Sequence, residues 1–298
     1  MLYSLVEMNR AAMAPLRLQA KAASTIWNSP ANPARETQVG RSIVAAAKVF
    51  ERATRYYGKP EWQLDTTEID GQTHAVEPVV AWSSPWCQLV HFKTENVAPD
   101  RPKLMITAPL SGHYATLLRG TVEAFLPTHE VYITDWTDAR MAPIWFGRFD
   151  LDDYIDHVQL TALGAGVHVL AVCQPGPPVL AAISMMAEDG SDSLPATMTF
   201  MGSPIDVRRS PTVPNKLSEE RSLDWFRSKM IHTVPMPWPG AYRRVYPGFI
   251  QLTSFMHMNW DRHVDAQARF FEHLIEGDED GSDKHKQFYD EYLAVLDL

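Results

Sequence analysis

Cysteine is nearly absent from this chain of 298 residues: there are two, Cys87 and Cys173. Two are too few for a disulfide framework or a cysteine zinc site, and they suit a reducing compartment. The 11 histidines show no H-E-x-x-H spacing, and His257 and His263 lack a flanking carboxylate pattern. No metal and no cofactor is therefore expected. Nowhere does the sequence hold the run of about 18 apolar residues that a membrane-spanning helix needs. Glu7, Arg10 and Arg17 interrupt what would have to be the apolar core of an export signal, so a cytoplasmic location is expected. Basic residues are also scarce: 27 Lys and Arg stand against 36 Asp and Glu, a net charge of −9. The pairs Arg208–Arg209 and Arg243–Arg244 make too small a patch for nucleic acid. Internal repeats and low-complexity tracts are missing as well.

What the chain does have is 45% apolar residues, with 22 Pro, 9 Trp and 13 Met. That composition supports one sizeable core and a surface rich in binding loops.

Residues 1 to about 60 read as helical. Within 42–57, Ser42 is a plausible N-cap, Ile43, Ala47, Phe50 and Tyr57 share one face, and Gly58 and Pro60 supply the stop. From Trp86 the period changes to that of strands. Trp86–Lys93, Lys103–Ala108, Glu130–Thr134, Val167–Val172 and Ala196–Met201 read as strands. Helices are predicted over about 114–125, 151–163 and 177–187. On 151–163, Leu151, Tyr154, Ile155, Val158 and Ala162 share a face. This alternation predicts an α/β fold, with a mostly parallel sheet and helices on both faces. The expected divisions are a helical N-terminal extension (1–85), the core (86–202), and a cap with the start of a C-terminal part (203–298). The polar run Glu276–Lys286 reads as a solvated loop, and Phe288–Leu298 as the beginning of a further helix.

Open parallel sheets place their sites at the carboxyl ends of strands. Cys173 follows the apolar strand Val167–Val172, and Gln174-Pro175-Gly176-Pro177-Pro178 then leads into an apolar helix. A strand, a tight turn with one nucleophile and a helix make a nucleophile elbow, the mark of the α/β-hydrolase fold. The usual flanking glycines are here Ala171 and Pro175, with glycine at 176. Proline is tolerated in a first helical turn, where its missing N–H would be unpaired. The ordinary reading of a free cysteine is a small buried hydrophobe, and it is the better one for Cys87. Acyl transfer also needs donors aimed at a developing oxyanion. The backbone N–H of Gln174 is one candidate. His113 or Tyr114, in the loop Pro109-Leu110-Ser111-Gly112-His113-Tyr114, is the other.

Leu110–Tyr114, Tyr132-Ile133-Thr134-Asp135-Trp136, Phe149–Tyr154 and Val172-Cys173-Gln174-Pro175 together resemble the intracellular poly(3-hydroxyalkanoate) depolymerases. The resemblance implies an α/β-hydrolase with a cysteine in the place of the triad serine, acting on polyester storage granules in the cytoplasm. It also implies two further strands after Cys173, one ending in a triad aspartate and one preceding a triad histidine. No stretch matches either, so the last strands are expected to be missing. Asp206, His232, His257 and His263 are the residues after Cys173 that could stand in. Trp238, Trp260, Met236 and Met256 in the expected cap are candidates for gripping the polymer, or else simply its core. Two competing readings are a polyester synthase-like acyltransferase, against which Ala171 and Pro175 argue, and a granule-binding protein without turnover. Partners are thus the polymer or granule surface, with association into a homo-oligomer left open.

Overall fold

The computed structural model describes residues 2–98, 100–160 and 164–298, the side chain of residue 160 excepted. The chain divides into two compact units, Met1–Pro60 with Phe249–Val295, and Glu61–Gly248 with Leu296–Leu298.

The helical unit begins with α1 (Leu2–Trp27) and α2 (Gln38–Thr54). The N-cap of α2 lies five residues before the expected Ser42, because Thr37 takes that place and its side chain accepts from the Gly40 N–H.

The sheet-bearing unit then runs β1 (Thr66–Ile69), β2 (Gln72–Ser83), β3 (Cys87–Thr94), β4 (Lys103–Thr107), α3 (Arg119–Phe125), β5 (Glu130–Trp136), α4 (Leu151–Leu160), β6 (His168–Val172), α5 (Gly176–Glu188) and β7 (Thr197–Met201). It continues with α6 (Val213–Glu220), α7 (Leu223–Lys229) and the short pair β8 (His232–Thr233) and β9 (Arg244–Val245). The helical unit resumes with α8 (Gly248–Met258), α9 (Trp260–Glu276) and α10 (Glu279–Tyr292).

Seven strands form one sheet in the order β1-β2-β3-β5-β4-β6-β7. β5, β4, β6 and β7 are mutually parallel, and β3, β2 and β1 extend the sheet antiparallel. Side chains alternate across it. Phe92, Leu104, Ile106, Val131, Ile133, Leu170 and Val172 pack on one face with Val122 and Leu126, from α3 and its C-terminal end. Leu89, Met105, Tyr132, Val169 and Ala171 pack on the other with Tyr154 and Val158 of α4 and Val179 and Ala182 of α5. Helices thus cover both faces of the sheet, as the strand and helix alternation predicts, and the arrangement is consistent with the α/β-hydrolase fold that the elbow implies. Cys87 is fully buried in the second layer, as its bland reading required. Among the described residues no helix is long and apolar enough to cross a membrane.

Three expectations need correction. Residues 66–83, assigned to the helical extension, are strands. Asp70 and Gly71 both adopt positive φ (51° and 77°), the conformation of a two-residue hairpin turn, for which Asp-Gly is a strong signal. The run Glu276–Lys286 is not a loop. Gly277 (φ 77°) ends α9 in a left-handed cap, and Asp278 starts α10 at once by accepting from the Gly281 N–H. Phe288 therefore lies near the end of a helix that stops at Tyr292, not at the beginning of one. The part of the expected helix at 161–163, with Ala162, lies outside the described residues.

The helical unit has a pH sensitivity of its own. His285 stacks between Phe270 (4.1 Å between ring centroids) and Tyr289 (4.4 Å). Burial pushes its pKa down to about 4, and the charges of Arg52 and His273 push the same way, against Asp290. A depressed value favours the neutral ring in the fold. The stabilisation is complete above the ordinary histidine value near 6.5 and is lost as pH falls from there towards about 4. His285→Phe keeps an aromatic ring in the stack and removes the proton site. Urea unfolding followed by circular dichroism should show the wild type losing more stability than this variant across that window. Equal pH slopes would refute the assignment.

Candidate active site

β6 delivers Cys173 to the carboxyl edge of the sheet. The residue has φ +66° and is solvent-exposed. A positive φ is uncommon for a residue with a Cβ, and such strain gathers at functional sites. Two backbone bonds hold the bend. The Cys173 N–H donates to the Met201 carbonyl at the end of β7 (2.8 Å), and the Gly176 N–H donates to the Cys173 carbonyl (3.3 Å). α5 begins at Gly176 with proline in its first turn, as the sequence pattern predicts.

Gly176 meets a close neighbour. A Cβ placed there would lie 2.3 Å from Ser203 Cβ and 2.7 Å from its Oγ. Glycine at 176, rather than 175, therefore meets the demand for a small residue in this elbow.

Gln174 does more than its backbone role suggests. Its Oε1 accepts from the Leu110 N–H (3.1 Å) and from the Tyr154 hydroxyl (3.4 Å). One side chain thus ties the elbow to the loop after β4 and to α4. Burial holds the Tyr154 phenol well above its ordinary value, with Cys87 adding to the shift, so it serves as a donor. The bond also commits the Leu110 N–H, leaving the later residues of that loop to serve an oxyanion. His113 and Tyr114 are both buried on it. Gly112 makes the bend with φ +91°, and its carbonyl accepts from the Leu296 N–H (2.9 Å).

Beneath the loop lies a buried polar knot. Asp138 receives Arg140 Nε (2.7 Å), the Asp297 N–H (3.2 Å) and the Tyr114 hydroxyl (3.4 Å). Burial pushes the Asp138 carboxyl up to about 6 despite the Arg140 guanidinium beside it.

A cavity of about 610 Å³ opens at the same edge of the sheet, walled by Trp86, Trp136 and Phe149, with Leu110, Ile144 and Arg243 among its other contacts. Cys173 does not line it. Leu110 does, so the cavity wall lies one hydrogen bond from the residue after the cysteine. The sequence signal was partial: Trp86, Trp136 and Phe149 flank predicted strands and helices, but only the sheet order brings them together.

Among the described residues no histidine ring bonds to the Cys173 sulfur. Asp206 is occupied by Arg208 (2.8 Å) and Arg209 (3.7 Å) at the surface. His232 bonds the Lys229 carbonyl. His257 bonds the Thr253 carbonyl and His263 the Tyr289 hydroxyl, both within the helical unit. Among the described residues no cluster of three or more His, Cys, Asp or Glu side chains could hold a metal ion.

The four expected polymer-gripping residues do not form one group. Met236 is exposed and Trp238 half-buried under the Arg140 guanidinium (4.9 Å), both in the sheet-bearing unit. Trp260, exposed, and Met256, half-buried, belong to α9 and α8 of the helical unit. Their sequence region, rich in Pro, Trp and Met throughout, gave no sign of the division at Gly248.

Residues 202–298 match the family described as PHB de-polymerase C-terminus. The similarity is thus to the C-terminal part of PHB depolymerases, over that segment. The match covers the part of the chain outside the core alternation and agrees with the resemblance carried by the elbow and its neighbouring motifs. Among solved structures, the chain is similar to a serine-to-alanine mutant of an alpha/beta hydrolase enzyme, LAE6, from the metagenome of Lake Arreo, Spain. The identity is 16% and the TM-score 0.32, over 63% of this chain and 58% of that one. It is also similar to a hyperthermophilic esterase from the archaeon Pyrobaculum calidifontis, at 12% identity and a TM-score of 0.30, over 61% of this chain and 58% of that one. The chain thus spans 58% of the length of each. No curated protein matches it.

Proposed function

We propose that the chain is an intracellular polyhydroxyalkanoate depolymerase that cleaves poly(3-hydroxybutyrate) ester bonds at granule surfaces, with Cys173 as nucleophile. The observation that carries this reading is the exposed sulfur on a residue at φ +66°, between a parallel strand and a helix. The PHB de-polymerase match at 202–298 supports a polyester as the substrate class.

The Cys173 thiolate adds to an ester carbonyl, and the oxyanion accepts from the Gln174 N–H and from that of His113 or Tyr114. Collapse breaks the acyl C–O bond, and the departing alkoxide takes a proton from water. Water then cleaves the thioester to give the hydroxy acid and regenerate the thiol. The aromatic cavity beside Leu110 would hold an apolar stretch of polymer.

A second reading, granule binding without turnover, draws on the lack of a histidine bonded to the Cys173 sulfur among the described residues. Amorphous granules and a small activated ester separate the two. Depolymerase action gives hydroxy acid from granules and an acyl adduct on the Cys173 peptide, both lost in Cys173→Ala, with Cys87 unmodified. Granule co-sedimentation without acid release, unchanged by Cys173→Ala, would replace the first reading by the second. An adduct on neither cysteine would remove Cys173 from the chemistry.

A further inference from the structure

The helical unit holds a second cavity, of about 490 Å³, between α9 and α10. Its lining contains Arg262, Arg269, Lys284 and three histidines but no carboxylate, in a chain whose net charge is −9. Most of these groups are already engaged. Lys284 is paired with Asp280 (2.7 Å), His273 with Asp278 (2.8 Å), and His263 bonds the Tyr289 hydroxyl. Arg262 and Arg269 form no ion pair among the described residues, and both are exposed. They sit seven residues apart on α9, two helical turns, so they share a face. Both line the groove together with Tyr289.

The other notable surface is aromatic. His263, Tyr292 and Phe288 form a column. His263 stacks on Tyr292 at 5.1 Å and 26°, and Phe288 on Tyr292 at 5.3 Å and 17°. Phe288 ends the column and is 50% exposed. A flat ring laid on it would continue the stack. Two uncompensated guanidinium groups suit phosphate oxygens, which Arg binds in a planar, bidentate manner. An acyl chain would leave both charges unused. A bare anion would leave the aromatic face unused.

We propose that the groove between α9 and α10 binds a nucleoside diphosphate, its base stacked on Phe288 and its phosphates held by Arg262 and Arg269. This site is separate from the polyester chemistry and does not depend on it. Calorimetric titration of the full chain with ADP, adenosine and inorganic pyrophosphate tests it. ADP should saturate one site and bind at least about ten-fold more tightly than either fragment. Arg262→Ala with Arg269→Ala should weaken ADP at least about ten-fold, and Phe288→Ala should weaken ADP but not pyrophosphate. ADP should also slow tryptic cleavage after Arg262 and Arg269 in the wild-type chain, a readout that needs no variant to fold. Pyrophosphate binding as tightly as ADP would reduce the site to a simple anion groove and overturn the nucleotide assignment. So would ADP that neither saturates at about millimolar concentration nor protects those two cleavage sites.

Discussion

Gly176→Ala is expected to destabilise the sheet-bearing unit by about 2–3 kcal/mol, the upper part of the range for forcing an extra carbon into a packed site. The added Cβ would sit 2.3 Å from Ser203 Cβ, and Ser203 is itself held, its hydroxyl donating to the Ala171 carbonyl at 3.3 Å. Neither partner is the free end of a long side chain, so backbone must move. What moves is the turn that sets Cys173 at φ +66°. Thiol alkylation at Cys173 should therefore change along with the urea midpoint. Removing the obstruction with Ser203→Gly in the same chain should restore most of the stability, a coupling that a double-mutant cycle reads directly. A Gly176→Ala protein within about 0.5 kcal/mol of wild type would show that the elbow is looser than this packing implies.

Arg243→Leu should cost more, about 3–5 kcal/mol. The Arg243 guanidinium is buried and donates to three carbonyls, those of Ala142 (3.0 Å), Gly147 (2.6 Å) and Pro143 (2.7 Å). It also lies over the Trp86 ring at 4.6 Å. Leucine fills part of the volume and leaves three acceptors without donors, each worth about 1–3 kcal/mol where water cannot replace it. Because the cavity lined by Arg243 opens nearby, the full sum will not be reached. Arg243→Lys should recover only part, since an ammonium lacks the planar fork that spans three carbonyls. Chemical denaturation gives the energy. Limited proteolysis should find the 142–147 segment, with Trp145 exposed, cut faster in the leucine variant. An unchanged midpoint in Arg243→Leu would mean that these acceptors find water freely.

The α/β core was legible because its signals are local. The runs at 103–107, 130–136, 168–172 and 197–201 are short and apolar, and turn residues bound them. The elbow was legible for the same reason, since strand, cysteine and proline-led helix are contiguous. β1 and β2 were missed although Asp70-Gly71 marks their hairpin, because the polar run Gln72-Thr73-His74 shows no strong alternation. α10 was missed because its face is charged, with Asp280, Asp283, Lys284 and Lys286 outward, and a cap at Asp278 carries the signal instead. Apart from the neighbouring Asp138–Arg140 pair, the Gln174–Leu110–Tyr154 brace and the knot at Asp138 join residues from 20 to 159 positions apart. Such partners follow from strand order, which one-dimensional pattern does not contain.

The path of the chain near Gly248 has an architectural consequence. The backbone leaves the sheet-bearing unit there and re-enters it at Leu296. At that junction the Gly248 N–H reaches Asp297 Oδ1 at 2.9 Å, while Tyr246 and Leu298 exchange two backbone bonds. Exit and entry are thus stapled side by side. Residues 249–295 are a chain excursion that leaves and rejoins the sheet-bearing unit at one closed stem, and they fold with residues 1–60. Lengthening, shortening or replacing that excursion would leave the sheet-bearing unit's own ends at the stem undisturbed. A sheet-bearing scaffold could in this way acquire a new accessory surface without rebuilding its sheet.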